Sequence, residues 1–148
     1  MQLEARRPRV FIAEDDATIL DLLRTRLELA GYETVWARDG REALPAIQAA
    51  QPAGVILDIG LPLMDGFEVL TRLQAMPACR DIPVMMLTAR HAAADVRRAL
   101  DLGARDFLTK PFSDAILLAR VARLVRGRVR MVDRGGGAGS SKAATWEV

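Results

Sequence analysis

Several short apolar segments of the sequence each end in polar residues of the kind that bind phosphate or metal. Carboxylates that converge on one place repel one another unless a cation lies among them. Mg²⁺ suits such a site because it prefers oxygen ligands and keeps some waters, which leaves room for a phosphoryl oxygen. If the fold brings them together, these residue types predict magnesium-dependent phosphoryl chemistry. The residues are Glu14, Asp15 and Asp16 after the first segment, then Asp58, Thr88 and Lys110 after later ones.

The residue types also suggest individual roles. Asp58 is central among them and is the natural carboxylate nucleophile. The ammonium of Lys110 and the hydroxyl of Thr88 can supply a charge and a hydrogen bond to the phosphoryl oxygens. Phosphoryl transfer needs little beyond such positioning and charge neutralisation.

The elements that must position these residues alternate five times between strand and helix. This alternation predicts an α/β fold, a (βα)5 parallel sheet with helices on both faces. In such a sheet, ligands bind beyond the carboxyl ends of the strands. Predicted strands are residues 10–13, 34–37, 55–57, 84–87 and 107–109, and predicted helices are 17–30, 41–50, 67–75, 92–102 and 114–126.

Residues with known positional preferences support these boundaries. Asp16 and Ser113 can cap the first and last helices, and Gly31 and Gly103 stand where a glycine commonly ends a helix. Pro45 is discordant because it removes a backbone donor, so the second helix is expected to start late or to kink.

The 148 residues suffice for one domain with a real core but not for two. We expect a lead at 1–8, a domain at 9–127 and a basic, Gly/Ser-rich linker or tail at 128–148. Residues 1–119 carry 14 Lys and Arg against 17 Asp and Glu, whereas residues 120–148 carry 7 against 2. The basic excess is therefore terminal, and the main domain itself is mildly acidic.

The sequence has a single cysteine, Cys79, and its first residues are charged rather than apolar. No internal disulfide can form, and no apolar run approaches the roughly 18 residues of a membrane span. We therefore expect a cytoplasmic protein without a membrane partner.

Residues 8–126 resemble the receiver domain of two-component response regulators. The resemblance rests on IAEDD at 12–16, DIGLPLMDG at 58–66, LTA at 87–89 and GARDFLTKPF at 103–112. These motifs occur in the family's order, with 30 residues from Asp58 to Thr88 and 22 from Thr88 to Lys110. The resemblance implies a doubly wound, flavodoxin-like sheet with strand order 2-1-3-4-5.

The resemblance also implies how the site works. Asp58 would be the phosphoacceptor, which takes its phosphoryl group from a sensor histidine kinase or a small acyl phosphate. Glu14, Asp15, the Asp58 carboxylate and the backbone carbonyl of Gly60 would hold Mg²⁺. Gly60 is smaller than the residue usual there, and Arg90 stands at the other position that tunes phosphoryl lifetime in the family.

A conformational switch is part of the same resemblance. Thr88 would turn towards the phosphoryl group, and Phe107, which replaces the commoner tyrosine, would follow it inwards. Lys110 would pair with the phosphoryl group, and its peptide bond to Pro111 would be cis. These contacts would shift the face made by the fourth helix, fifth strand and fifth helix between two arrangements.

That face could also form a homodimer. Asp106 and Arg120 match an ion pair that the winged-helix class of response regulators uses across it. Val96 and Ile116 stand where opposite charges are expected, so an apolar contact could replace a second pair. Arg105 replaces an acid of the same signature.

Two hypotheses concern what the receiver domain would control. The basic end of the last helix and the glycine-rich stretch are typical of a lead into a DNA-binding winged-helix domain that this chain does not contain. The alternative is a stand-alone receiver that acts only by docking to a partner protein.

An aspartyl-phosphate phosphatase is disfavoured because such enzymes carry a second acid two residues after the nucleophile, where this chain has Gly60. We therefore expect a phosphoryl acceptor rather than an enzyme. Asp65 and Gly66 are interpreted as an ordinary turn.

Overall fold

Five parallel strands alternate with five helices in the computed structural model, which describes residues 7–89 and 93–133, with side chains up to residue 127. The sheet order is β2-β1-β3-β4-β5, which confirms the predicted doubly wound topology. The strands are β1 (Arg9–Ala13), β2 (Glu33–Ala37), β3 (Gly54–Asp58), β4 (Val84–Thr88) and β5 (Asp106–Thr109). The helices are α1 (Ala17–Leu29), α2 (Gly40–Ala50), α3 (Gly66–Ala75), α4 (Ala93–Asp101) and α5 (Asp114–Asp133).

One apolar layer covers each face of the sheet because side chains alternate in direction along a strand. Leu57 and Met86 pack into the layer shared with α2, α3 and α4, whereas Ile56 and Met85 pack into the layer shared with α1 and α5. All four are fully buried. Burying such a side chain stabilises a fold by roughly 1.5–3 kcal/mol. The two layers therefore hold the sheet firmly beneath its carboxyl edge.

The predicted starts of α1 at Ala17 and of α5 at Asp114 are confirmed, and a cap fixes each of them. The Asp16 carboxylate accepts hydrogen bonds from two backbone N–H groups in the first turn of α1. The Ser113 hydroxyl accepts one from the first turn of α5. Gly31 and Gly103 have φ of +99° and +103°, a backbone conformation that favours glycine.

The expected late start of α2 is wrong. The helix begins at Gly40 and continues through Pro45. Its start is fixed by Asp39, whose side chain accepts a hydrogen bond of 2.7 Å from the backbone N–H of Glu42. The cap residue Asp39 lies six residues before the proline, so the first turn is already formed where the missing donor takes effect.

The expected end of the last helix at Arg126 is also wrong, because α5 continues to Asp133. A glycine inside a helix costs about 1 kcal/mol relative to alanine, and strong helix formers on both sides of Gly127 offset that cost. The helix therefore crosses the expected domain boundary at residue 127. The Gly/Ser-rich stretch and most of the N-terminal lead lie outside the described residues. Across the two described ranges, no helix is long and apolar enough to cross a membrane.

Candidate functional site

The predicted site residues meet at the carboxyl edge of the sheet because the central strands end in register. β1 pairs with β3 up to Leu57, and Asp58 then pairs with Leu87 of β4. Glu14, the first residue after β1, therefore lies beside Asp58, and Thr88 ends β4 one residue beyond Leu87. The topology thus gathers residues that are far apart in the sequence.

Three carboxylates form an acidic cluster at this edge. One oxygen from each of Glu14, Asp15 and Asp58 lies within 4.8 Å of the others. Glu14 and Asp58 are buried, whereas Asp15 is exposed to solvent. Buried carboxylates that face one another favour a cation between them, and an all-oxygen donor set with one open side suits Mg²⁺. The residues present therefore fit a magnesium ion.

Lys110 places its ammonium between two of these acids. Nζ lies 2.6 Å from Oε1 of Glu14 and 3.4 Å from Oδ2 of Asp58. Burial alone would lower the pKa of Lys110, but its hydrogen bond to Glu14 and the charges of both acids outweigh this, and the pKa is raised. Lys110 therefore stays charged and partly neutralises the cluster.

The buried Glu14 carboxyl is the most perturbed acid of the cluster. Burial raises its pKa to about 7, against opposing hydrogen bonds from Lys110 and from the backbone N–H of Asp16. The neighbouring Asp58 adds to the rise. The ammonium of Lys110 therefore does not fully compensate the charge of the buried Glu14 carboxylate. Such a deficit is expected where a further cation binds.

Asp58 is oriented by a contact at each carboxylate oxygen. The backbone N–H of Gly60 donates to Oδ1 at 3.1 Å, while Oδ2 faces Lys110. A Cβ added at Gly60 would have only Oδ1 within 4 Å, at 3.9 Å, so the space beside the acceptor is open. The carboxylate is therefore both fixed in direction and accessible from the Gly60 side.

The turn at Asp65 and Gly66 proves more important than an ordinary turn. A Cβ on Gly66 would lie 2.3 Å from the carbonyl oxygen of Asp58 and 2.8 Å from the Cα of Ile59. The Gly66 N–H donates to the Ile59 carbonyl at 2.8 Å, and the Asp65 side chain caps α3. Gly66 thus lets α3 begin directly against the backbone that carries Asp58. In the sequence, the only sign of this role of Gly66 is that it directly follows Asp65.

Of the two proposed switch residues, Thr88 ends β4, whereas Phe107 lies inside β5 and pairs with Met86. Thr88 is buried, and its carbonyl accepts a hydrogen bond of 2.7 Å from the backbone N–H of Lys110. Phe107 is half-buried against the apolar layer of α2, α3 and α4. The peptide bond between Lys110 and Pro111 is cis, as the resemblance implies.

Two residues of the expected dimer face, Asp106 and Arg120, form an ion pair within one chain. Asp106, 3% exposed, accepts from Arg120 through Oδ1 and from Arg123 through Oδ2, both at 2.8 Å. Arg123 as a second partner was not predicted. Val96 is half-buried, and Ile116 is 48% exposed. Arg90, the expected second tuning position, lies outside the described residues.

Comparison with known proteins agrees with this geometry. The family model described as "Response regulator receiver domain" matches residues 10–122. The chain belongs to this family. The match runs from the second residue of β1 through the other four strands to the ninth residue of α5, so the receiver domain accounts for most of the described structure.

Relatives of the receiver domain include two transcriptional regulators. "Transcriptional regulatory protein PrrA" of Mycobacterium tuberculosis is 43% identical over 121 residues, which cover 82% of this chain and 51% of PrrA. "DNA-binding dual master transcriptional regulator RpaA" of Synechocystis is 44% identical over 119 residues, which cover 80% of this chain and 49% of RpaA. The chain therefore spans about half the length of these curated relatives.

One solved structure similar to this chain is the receiver domain of the sensor histidine kinase PA1611 from Pseudomonas aeruginosa. It matches with a TM-score of 0.76 and 25% identity, over 82% of this chain and 99% of that domain. That structure is described as holding a magnesium ion coordinated in its active site cleft.

Proposed function

We propose that this receiver domain accepts a phosphoryl group on Asp58 from a sensor histidine kinase and reports the kinase's state. The observation that carries the proposal is the position of Asp58, with Lys110 at Oδ2 and the acids Glu14 and Asp15 alongside. A nucleophile flanked by a fixed ammonium and a cation site suits the transfer of a highly charged phosphoryl group.

The chain's own residues account for the transfer. An Asp58 oxygen bonds to phosphorus as the phosphorus–nitrogen bond of a phosphohistidine breaks, and the imidazole leaves. Lys110 and the Thr88 hydroxyl donate to phosphoryl oxygens. Glu14, Asp15, Asp58 and the Gly60 carbonyl would hold Mg²⁺, which when bound neutralises charge on the transferred group. The magnesium-bearing PA1611 domain supports this choice of metal.

We propose that the chain is a phosphoryl acceptor rather than a turnover enzyme. Aspartyl-phosphate phosphatases use a second acid two residues after the nucleophile, and Gly60 has no side chain to act as one. The location we propose is the cytoplasm, where the buried Cys79 thiol would stay reduced.

The proposed output is a change in the face formed by α4, β5 and α5. Thr88 turns towards the phosphoryl group and Phe107 moves inwards, which shifts the population of two arrangements of this face. Because PrrA and RpaA are transcriptional regulators about twice as long, we propose that the face controls a DNA-binding domain outside this chain. A stand-alone receiver that docks to a partner protein is the second candidate.

A homodimer through the same face is part of the proposal. Arg120 and Arg123 already neutralise Asp106 within the chain, so the exposed Ile116 and the half-buried Val96 would supply most of the contact. Chemical crosslinking before and after phosphorylation tests this. A dimer that increases on phosphorylation and is lost in Ile116→Asp is expected; an unchanged monomer would contradict the proposed dimer.

Intact-mass measurement tests phosphoryl acceptance directly. We expect one phosphoryl mass after incubation with acetyl phosphate and Mg²⁺, and none when the metal is chelated or in Asp58→Asn. Asp65→Asn is the matched control, since asparagine also caps helices and Asp65 lies in the same loop. It should be labelled like the native protein. Labelling of Asp58→Asn would disprove the assigned acceptor.

A further inference from the structure

The segment between β2 and α2 contacts both loops that carry the proposed metal ligands. Nη2 of Arg38 donates to the backbone carbonyl of Asp15 at 3.0 Å, in the loop after β1. Two residues on, the Gly40 N–H donates to the Pro62 carbonyl at 3.1 Å, in the loop after β3. The loop after β1 supplies Asp15, and the loop after β3 supplies the Gly60 carbonyl and directly follows Asp58, the last residue of β3. Residues 38–40 thus connect the two halves of the acidic cluster.

The contact on the Asp58 side is too close to tolerate a side chain. A Cβ on Gly40 would lie 1.8 Å from the carbonyl oxygen of Met64. Gly40 is itself fixed, because it is the first residue of α2 and Asp39 caps that helix. One end of residues 38–40 is therefore held rigidly against the loop after β3, which gives Arg38 a firm base from which to reach Asp15.

We propose that residues 38–40 brace the magnesium site and that Arg38 is a positioning residue for Asp15. By holding the Asp15 carbonyl, Arg38 fixes the backbone from which the exposed carboxylate reaches towards the two buried acids. Asp15 needs such a support because solvent, rather than packing, surrounds its side chain. This inference rests on the proposed function, since it concerns the same metal site.

A positioning role for Arg38 and a purely electrostatic role predict opposite changes in Mg²⁺ affinity. Arg38 carries a positive charge close to a cation site, so its removal should strengthen Mg²⁺ binding if Coulomb repulsion were its main effect. If Arg38 positions Asp15, its removal should weaken Mg²⁺ binding despite the lost repulsion. The sign of the change therefore separates the two roles.

Calorimetric titration of the full chain with Mg²⁺ provides the test. We expect Arg38→Gln to weaken Mg²⁺ binding about threefold to tenfold, the range for the loss of one hydrogen bond. Arg38→Lys, which keeps the charge and a donor, should recover part of this loss. Arg41→Gln is the matched control, an exposed arginine in the first turn of α2, and should not weaken binding.

Urea unfolding in chelator, run beside the titration, separates positioning from general stability. We expect the unfolding midpoint of Arg38→Gln to equal that of the native chain. Unchanged or tighter Mg²⁺ binding in Arg38→Gln would overturn the inference, as would a lowered midpoint that accompanies the weaker binding. Native protein that binds no Mg²⁺ would instead reject the proposed metal site.

Discussion

The Lys110 ammonium lies closer to Glu14 than to Asp58, at 2.6 Å against 3.4 Å. The lysine is thus paired more closely with Glu14 than with the proposed phosphoacceptor. Lys110 and Mg²⁺ are both counter-ions for the same buried carboxylate. Metal binding would weaken the hold of Glu14 on Lys110, and a phosphoryl group on Asp58 would then offer the lysine a new partner.

Removing the lysine charge should make stability depend more strongly on metal. In Lys110→Gln, the buried acids lose their ammonium partner, which should lower the free energy of unfolding in chelator by about 1–3 kcal/mol. Saturating Mg²⁺ should restore most of the loss, and Mg²⁺ affinity should rise because a competing cation is gone. Urea unfolding with and without metal, together with calorimetry, measures both effects.

An exposed arginine offers a control for this charge change. Arg41→Gln removes one positive charge, as Lys110→Gln does, and should leave stability and Mg²⁺ affinity unchanged because its side chain is exposed in the first turn of α2. Equal Mg²⁺ affinities in Lys110→Gln and the native chain would contradict competition between lysine and metal at Glu14.

The two glycines that follow Asp58 should respond differently to alanine. In Gly66→Ala the new Cβ would meet the Asp58 carbonyl oxygen at 2.3 Å, so the backbone must shift. We expect a loss of about 1–3 kcal/mol in unfolding free energy, and slower phosphorylation. Gly60→Ala, whose Cβ meets only Asp58 Oδ1 at 3.9 Å, should change stability by less than about 0.5 kcal/mol. Urea unfolding of the two variants measures this difference. Equal stabilities would contradict the close approach of Gly66 to the Asp58 backbone.

The sequence was sufficient to predict the sheet and the main site residues. Each of the strands β1, β3 and β4 is a short apolar run that stops at a candidate site residue, so the end of the pattern itself marks Glu14, Asp58 and Thr88. Parallel pairing then required these ends to meet. The caps at Asp16 and Ser113 were predictable for a similar reason, because they depend only on residues within one turn.

Contacts between separate elements could not be predicted in this way. Gly66 is needed because α3 starts against β3, and Arg38 reaches Asp15 from a different loop. Arg123 joins Arg120 on Asp106 only because α5 lies beside β5 at a particular rotation. Each depends on distances across the fold that no local pattern encodes.

Replacing Pro45 should raise the free energy of unfolding. It is exposed and lies inside α2, where it removes the hydrogen bond that its backbone nitrogen would otherwise donate. Pro45→Ala restores the donor but makes the unfolded chain more flexible, so we expect a net gain of about 1–2 kcal/mol. Thermal or urea unfolding tests this, and phosphorylation by acetyl phosphate should be unaffected. A loss of stability would mean that the proline ring makes contacts worth more than the missing hydrogen bond.

The two arginines on Asp106 should contribute unequally. Arg120 has the less exposed side chain, 28% against 52% for Arg123, and it also donates to the Phe107 carbonyl at 3.1 Å. We expect Arg120→Gln to lower the free energy of unfolding by about 1–2 kcal/mol and Arg123→Gln by less than about 1 kcal/mol. The double variant should lose more than the sum, because the buried Asp106 carboxylate is then left without a cation. Urea unfolding of the two single variants and the double variant measures the three losses in unfolding free energy. Strictly additive losses would show that each arginine acts independently of the other.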